Sequence, residues 1–271
     1  MKLSKRRAFL LVFCITALCS LLLVVPLLTD DEPDLPTSVA KAINFFEGSR
    51  EPYALPWFDV MHRRFGIEEF ADALQRYDQV MTEQPEQWPL LHVFRRILDY
   101  DNPMHAEDLQ HVPIPSDIII AYALYCDRWG LPSDYSEVLD WAVSEGDYYV
   151  THVLLACIWI QENGCELALP GGFIDDVYRA TAVIVNNNPM VVDDLKLEAA
   201  AFLYLAGQGE LVNPSFVKRV IASQNDDGGW AESMDGQGDS YWHSTVLGLL
   251  LLLHVEFPAD SYPPVLDSMS P

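Results

Sequence analysis

From about residue 115 onward the chain alternates between two kinds of helical text. Ser116–Trp129, Asp147–Gln161, Val192–Ala206 and Asp239–Val255 are apolar nearly all round. Between them, Tyr135–Ser144, Asp175–Asn186 and Pro214–Ser223 carry their apolar residues on one face. A helix that is apolar all round has to be buried on most sides, whereas an amphipathic one covers it. The alternation predicts an inner and an outer layer. Upstream, helices are expected over Ser38–Phe46, Pro56–Phe65, Ile67–Met81 and Gln87–Tyr100, followed by a proline-bearing loop, Asp101–Pro115. No stretch alternates with period two for long, so no sheet is expected. Phe257–Pro271 has no periodicity and is expected as an extended tail.

The apolar helices start alike. Asp117, Asp147, Asp193 or Asp194, and Asp239 each stand near a helix start, where capping and the helix dipole favour an acid. Asp147, Asp193 and Asp239 recur at an interval of 46 residues, the length of one helical pair with its loops.

The strongest local signal is Ser223-Gln224-Asn225-Asp226-Asp227-Gly228-Gly229-Trp230. Asn213 and Pro214 open the helix before it. Gly228-Gly229 stops that helix, and Trp230 supplies a large apolar anchor with one N–H donor. Gln224 can tie loop backbone to a helix end. With the buried helix that follows, Gln224, Asp227, Gly228, Gly229 and Trp230 resemble the QW repeat, Gln-x-x-Asp-Gly-Gly-Trp, of the squalene-cyclase and protein-prenyltransferase superfamily. The resemblance covers Asp194–Glu256. It implies an all-α fold, an α/α toroid of helical hairpins in which the Gln and Trp brace successive helices. Four apolar helices, with room for a fifth among residues 38–100, imply an incomplete or open ring. Fold alone does not assign an activity.

Charge narrows the possible partners. The chain has 40 acids and 16 bases; Lys2, Lys5, Arg6 and Arg7 take four of the bases, leaving a body with 12 against 40, a net of −28. Such a body repels nucleic acid and polyanions. The basic Lys2–Arg7 precedes the apolar Ala8–Leu28, long enough to span a bilayer. The lipid bilayer is therefore an expected partner through residues 8–28. An uncleaved signal-anchor (residues 1–29) is favoured over a removed signal peptide, with residues 30–36 an acidic linker, residues 37–257 the helical domain outside the cytoplasm, and residues 258–271 the tail. Outside the apolar leader stand Cys126, Cys157 and Cys165. Their odd number and lack of a CxxC argue against a disulfide framework, and Cys126 and Cys157 read as small core residues.

If the apolar helices form the inner layer, their first turns meet at one end and gather candidate chemistry. His243, His152, Tyr149 and Asp239 are the candidate catalytic residues. Tyr148, Tyr241, Trp242, Asp147, Asp193 and Asp194 are the candidate ligand contacts. The plainer reading of the same residues is helix caps and aromatic packing at a rim. An enzyme should bring His152 and His243 close enough to share a substrate, with a carboxylate in hydrogen-bond reach.

The resemblance does not extend to the superfamily's motifs. Protonation-driven cyclases use Asp-x-Asp-Asp, and this chain has none. Zinc prenyltransferases use a His like His243 beside an Asp-x-Cys pair, also absent, so no metal or cofactor is expected. A lyase for acidic sugars conflicts with the charge. The expectation is a membrane-anchored domain that binds a ligand or partner, the alternative an enzyme acting on a hydrophobic (isoprenoid) or carbohydrate ligand in the cavity.

Overall fold

The structure, a computed structural model, describes residues 34–112, 114–232 and 238–266. Twelve α-helices fall among them. The first four are α1 (Leu35–Phe45), α2 (Leu55–Phe65), α3 (Ala73–Glu83) and α4 (Trp88–Phe94). Then follow α5 (Pro115–Leu124), α6 (Cys126–Trp129), α7 (Tyr135–Glu145) and α8 (Asp147–Glu162). The last are α9 (Phe173–Asn186), α10 (Asp194–Leu205), α11 (Pro214–Ala222) and α12 (Trp242–Glu256). The all-α expectation holds. Two expected helices are interrupted: Ile67–Met81 becomes a 3-10 turn, Glu68–Phe70, followed by α3, and Gln87–Tyr100 shortens to α4 plus a second turn, Arg95–Ile97. Ser116–Trp129 breaks at Tyr125, whose hydroxyl donates to the Val93 carbonyl at 2.8 Å.

Burial follows the alternation. Every residue of α12 from Ser244 to His254 is buried, and α10 is buried nearly all round. In α7, α9 and α11 only one face is buried. Neighbouring apolar helices pack in series, α5 on α8, α8 on α10 and α10 on α12. α7 and α9 cover α8, and α9 also covers α10. α1 packs on α12, so the first described helix lies against the last.

The glycine-rich turn joins these elements. The Trp230 ring is buried; its Nε1–H donates to the Val220 carbonyl of α11 at 2.8 Å. A side chain at Gly248 of α12 would meet that ring at 2.8 Å. Gln224 Nε2 donates to the carbonyls of Ser38 in α1 (2.8 Å) and Gly228 (2.9 Å), so the brace also reaches the start of the domain. Asp227 Oδ1 accepts from the Gly229 N–H (3.1 Å) and the Ser240 hydroxyl (2.6 Å). Gly228 has φ +94°, and a Cβ there would stand 2.2 Å from the Lys41 carbonyl oxygen, so only glycine fits.

Two expectations need correction. The chain does contain strand: Trp230–Ala231 pairs antiparallel with Ser240–Tyr241. Cys126 and Cys165 form a disulfide across 39 residues, with Cys157 the free thiol among the described residues. The odd count was a poor guide, since one unpaired cysteine is compatible with one bridge. The described part of the expected tail, to Leu266, has no helix and is held against the domain. Val265 and Leu266 are buried, their N–H groups donate to the Glu162 carboxylate (2.8 and 3.0 Å), and Arg63 donates to the carbonyls of Pro264 (2.9 Å) and Val265 (2.7 Å). Among the described residues no helix is long and apolar enough to cross a membrane; the expected anchor, residues 8–28, lies outside them.

Candidate functional site

Five helices point their N-terminal turns at one cavity of about 550 Å³. α2 contributes Pro56 and Trp57, and α5 contributes Ser116, Asp117 and Ile120. Tyr148, His152, Leu155 and Trp159 come from α8, at i, i+4, i+7 and i+11 along one helical stripe. Asp194, Glu198 and Phe202 form the matching stripe of α10, and Trp242 and His243 open α12. α2 thus adds a fifth helix to the cavity, from within residues 38–100. Tyr53, Tyr241 and Glu232 line it from between the helices, and Phe94 from the end of α4.

A continuous charge network forms one wall. Glu198 is 1% exposed, and its carboxylate lies between both candidate histidines: His152 Nδ1 is 3.5 Å from Oε1 and His243 Nε2 is 3.5 Å from Oε2. Thr151 also donates to Oε1. His152 Nδ1–H donates to the Tyr148 carbonyl at 2.7 Å, while Nε2 faces Asp117 at 3.4 Å. His243 Nδ1 lies 2.9 Å from both oxygens of Asp194. Asp194 accepts further from the Ser244 and Tyr148 hydroxyls, each at 2.7 Å. The Tyr148–Asp194 bond spans 46 residues, the interval of the sequence repeat, so equivalent first turns are in contact.

The network overrides the usual effect of burial, which lowers an imidazole pKa. For His152 burial acts in that direction, but the Glu198 charge and the Asp117 contact outweigh it and raise the group to about 10. His243 is raised as well, its burial outweighed by Asp194 and Glu198. Burial would raise Asp194, yet its bonds from His243, Ser244 and Tyr148 hold it below the usual carboxylate range. Tyr148 is pushed up by burial and by Asp194, so its hydroxyl stays protonated. His152 is therefore cationic near neutral pH, His243 is shifted in the same direction, and each has both nitrogens directed at the protein's own acceptors.

Of the sequence candidates, His152, His243, Tyr148, Asp194, Tyr241 and Trp242 line the cavity. Four do not. Tyr149 packs edge-on against Trp141 of α7, 5.1 Å between centroids, one helical position out of phase with Tyr148. Asp147 is exposed at the first position of α8 after Gly146. Asp193 is the N-cap of α10, accepting from Lys196 N at 2.9 Å. Asp239 is exposed ahead of the Ser240–Tyr241 strand, and α12 begins three residues later with Tyr241 as its N-cap. Asp117 was read only as a helix start; Glu198 belongs with the residues expected to gather at this end, four positions after Asp194, the spacing that keeps two side chains on one face. Among the described residues no three His, Cys, Asp or Glu side chains are placed to hold one metal ion.

The resulting wall is aromatic. Tyr53 stacks on Trp242 (6.0 Å), which meets Tyr241 (5.7 Å) and His243 (5.1 Å), and Trp57 leans on Phe202 (5.7 Å). Comparison with known proteins adds nothing to this geometry: no family model, curated protein or solved structure matches the chain.

Proposed function

We propose that this chain is a membrane-tethered, extracytoplasmic α/α toroid whose cavity binds a small ligand with an apolar body. The observation that carries the reading is the aromatic-walled space of about 550 Å³ where the first turns of five helices meet. Its size and lining are those of a small-molecule site. The toroid is supported by the serial packing of the buried helices, the contact of α1 with α12, and the Gln224–Trp230 brace between them. The extracytoplasmic placement is supported by the Cys126–Cys165 disulfide, which suits an oxidising compartment. It is supported too by the basic Lys2–Arg7 ahead of the apolar Ala8–Leu28.

The test is mass spectrometry of the full chain extracted in a non-ionic detergent. A small molecule should copurify with the wild type and be depleted in Trp242→Ala. The same small-molecule content in both, or none in either, would remove the cavity from consideration as a binding site.

A second reading, acid–base chemistry on that ligand, is favoured by one observation: a single buried carboxylate, Glu198, faces two imidazoles. Conversion of the released compound by wild type and not by His243→Asn would select it.

A further inference from the structure

The cavity's charge goes further than its size. It is lined by four carboxylates, Asp117, Asp194, Glu198 and Glu232, and by two imidazoles. No Lys or Arg lines it among the described residues, so even with both histidines protonated two negative charges are left over. The imidazoles offer nothing to an anion. His152 is directed at Glu198, Asp117 and the Tyr148 carbonyl, and His243 at Asp194 and Glu198. The partial positive charge of the helix N-termini is likewise met by Asp117 and Asp194 in the first turns of α5 and α10.

The aromatic side of the cavity has the complementary feature. Tyr53, Trp242 and Tyr241 form a continuous three-ring surface. Glu232 and Asp117 line the same cavity, and Glu51 lies close enough to raise both tyrosines, after the larger effect of burial. An aromatic face presents negative charge density, and an acid at its edge adds to it. Phosphates, uronates and other anions meet repulsion here, and a neutral ligand leaves the charge excess uncompensated.

We propose that the cavity takes an organic monocation, an amine or quaternary ammonium on an apolar body, seated on the Tyr53–Trp242–Tyr241 rings with Asp117 and Glu232 as its counter-charges. This rests on the ligand-binding reading of the same cavity and names the chemical class.

The experiment uses the full chain in non-ionic detergent and three probes of nearly one shape and different charge. These are choline, its neutral carbon isostere 3,3-dimethyl-1-butanol, and the anion 3,3-dimethylbutyrate, each titrated by calorimetry or ligand-observed NMR. Choline should bind about ten-fold tighter than the neutral isostere, and the anion should not bind measurably. Rising salt should weaken choline and leave the neutral probe unchanged. Asp117→Asn and Trp242→Ala, each checked for an unchanged helical spectrum, should weaken choline about five-fold or more. Equal or tighter binding of the neutral isostere overturns the cation assignment while leaving the cavity a binding site. Preference for the anion, or no binding of any probe, also overturns it. The copurification experiment above then decides separately whether the cavity binds anything.

Discussion

His152 and His254 are both largely buried, yet one is charged near neutral pH and the other is not. His152 lies at the cavity end, between Glu198 and Asp117, and is raised to about 10. His254 lies near the other end of α12; burial lowers it to about 4, its bond to the Leu250 carbonyl opposes that weakly, and Arg64 adds to the lowering. The difference follows from helix direction. α2, α5, α8, α10 and α12 all present N-terminal turns to the cavity, where acids are favoured. The C-terminal turns of α2 bring Arg63 and Arg64, which is where cations are favoured. At that far end the balancing carboxylate is Glu162, and it is committed to the 265–266 backbone. One end is therefore a cavity with surplus negative charge, and the other is a second cavity, of about 660 Å³, lined by Arg64, Glu162 and the chain's own C-terminal segment.

The largest test of this contrast is Glu198→Ala. It strips the shared carboxylate from two imidazoles, of which His152 is cationic, and breaking a buried ion pair from one side costs about 4 kcal/mol. Urea denaturation should show that loss, and an NMR titration should show His152 falling from about 10 toward its ordinary value. A loss under about 1 kcal/mol would mean that water already screens the network.

At the far end, Glu162→Ala removes the acceptor of two backbone N–H groups. Hydrogen bonds to a charged group are worth about 1.5 kcal/mol or more each, so a cost of about 3 kcal/mol is expected. The loss should come with proteolytic release of the segment after Phe257. The cavity histidines should titrate as in the wild type. A change in their titration would join the two ends into one coupled unit and break the comparison.

The two ends should also respond to pH in opposite senses. The folded value of His152, about 10, lies above the unfolded 6.5, so its contribution is complete below about pH 6.5 and is lost as pH rises toward 10. The folded value of His254, about 4, lies below the unfolded 6.5, so its contribution is present above about pH 6.5 and is lost as pH falls toward 4. Relative to wild type, His152→Gln should lose least at alkaline pH and His254→Gln least at acid pH. Denaturation at about pH 5, 7 and 9 measures both. Glu162, raised by burial, acts against the acid trend, so the readout is the difference between wild type and each variant. Parallel profiles for the two variants would erase the distinction.

Much of the acidic end was legible because it is built from first turns. Periodicity located the helices, the 46-residue interval aligned them, and His152, His243 and Asp194 followed. What was not legible is helical phase and long-range contact. Asp239 looked like a cap, but the chain makes a short strand before α12 begins. Trp57 and Tyr53 carry no local sign that they face Phe202 and Trp242. At the far end the C-terminal segment was read only as an extended tail because Glu162 meets the backbone 103 residues away, a distance no pattern records.

The smallest effect separates two adjacent tyrosines that the sequence could not tell apart. Tyr148 donates to Asp194 at 2.7 Å, while Tyr149 packs on Trp141. Tyr148→Phe removes one donor from a carboxylate that keeps Ser244 and His243, at a half-exposed position, so it should cost about 1 kcal/mol. It should also raise the Asp194 pKa, because a bond to the charged form is lost. Tyr149→Phe keeps the ring that Trp141 meets and should change neither stability nor Asp194. Carbon-detected titration of the carboxylates in the two variants distinguishes them. An equal rise of Asp194 in both would mean that α8 presents Tyr149 to the cavity and that the stripe from Tyr148 to Trp159 has been assigned to the wrong helical phase.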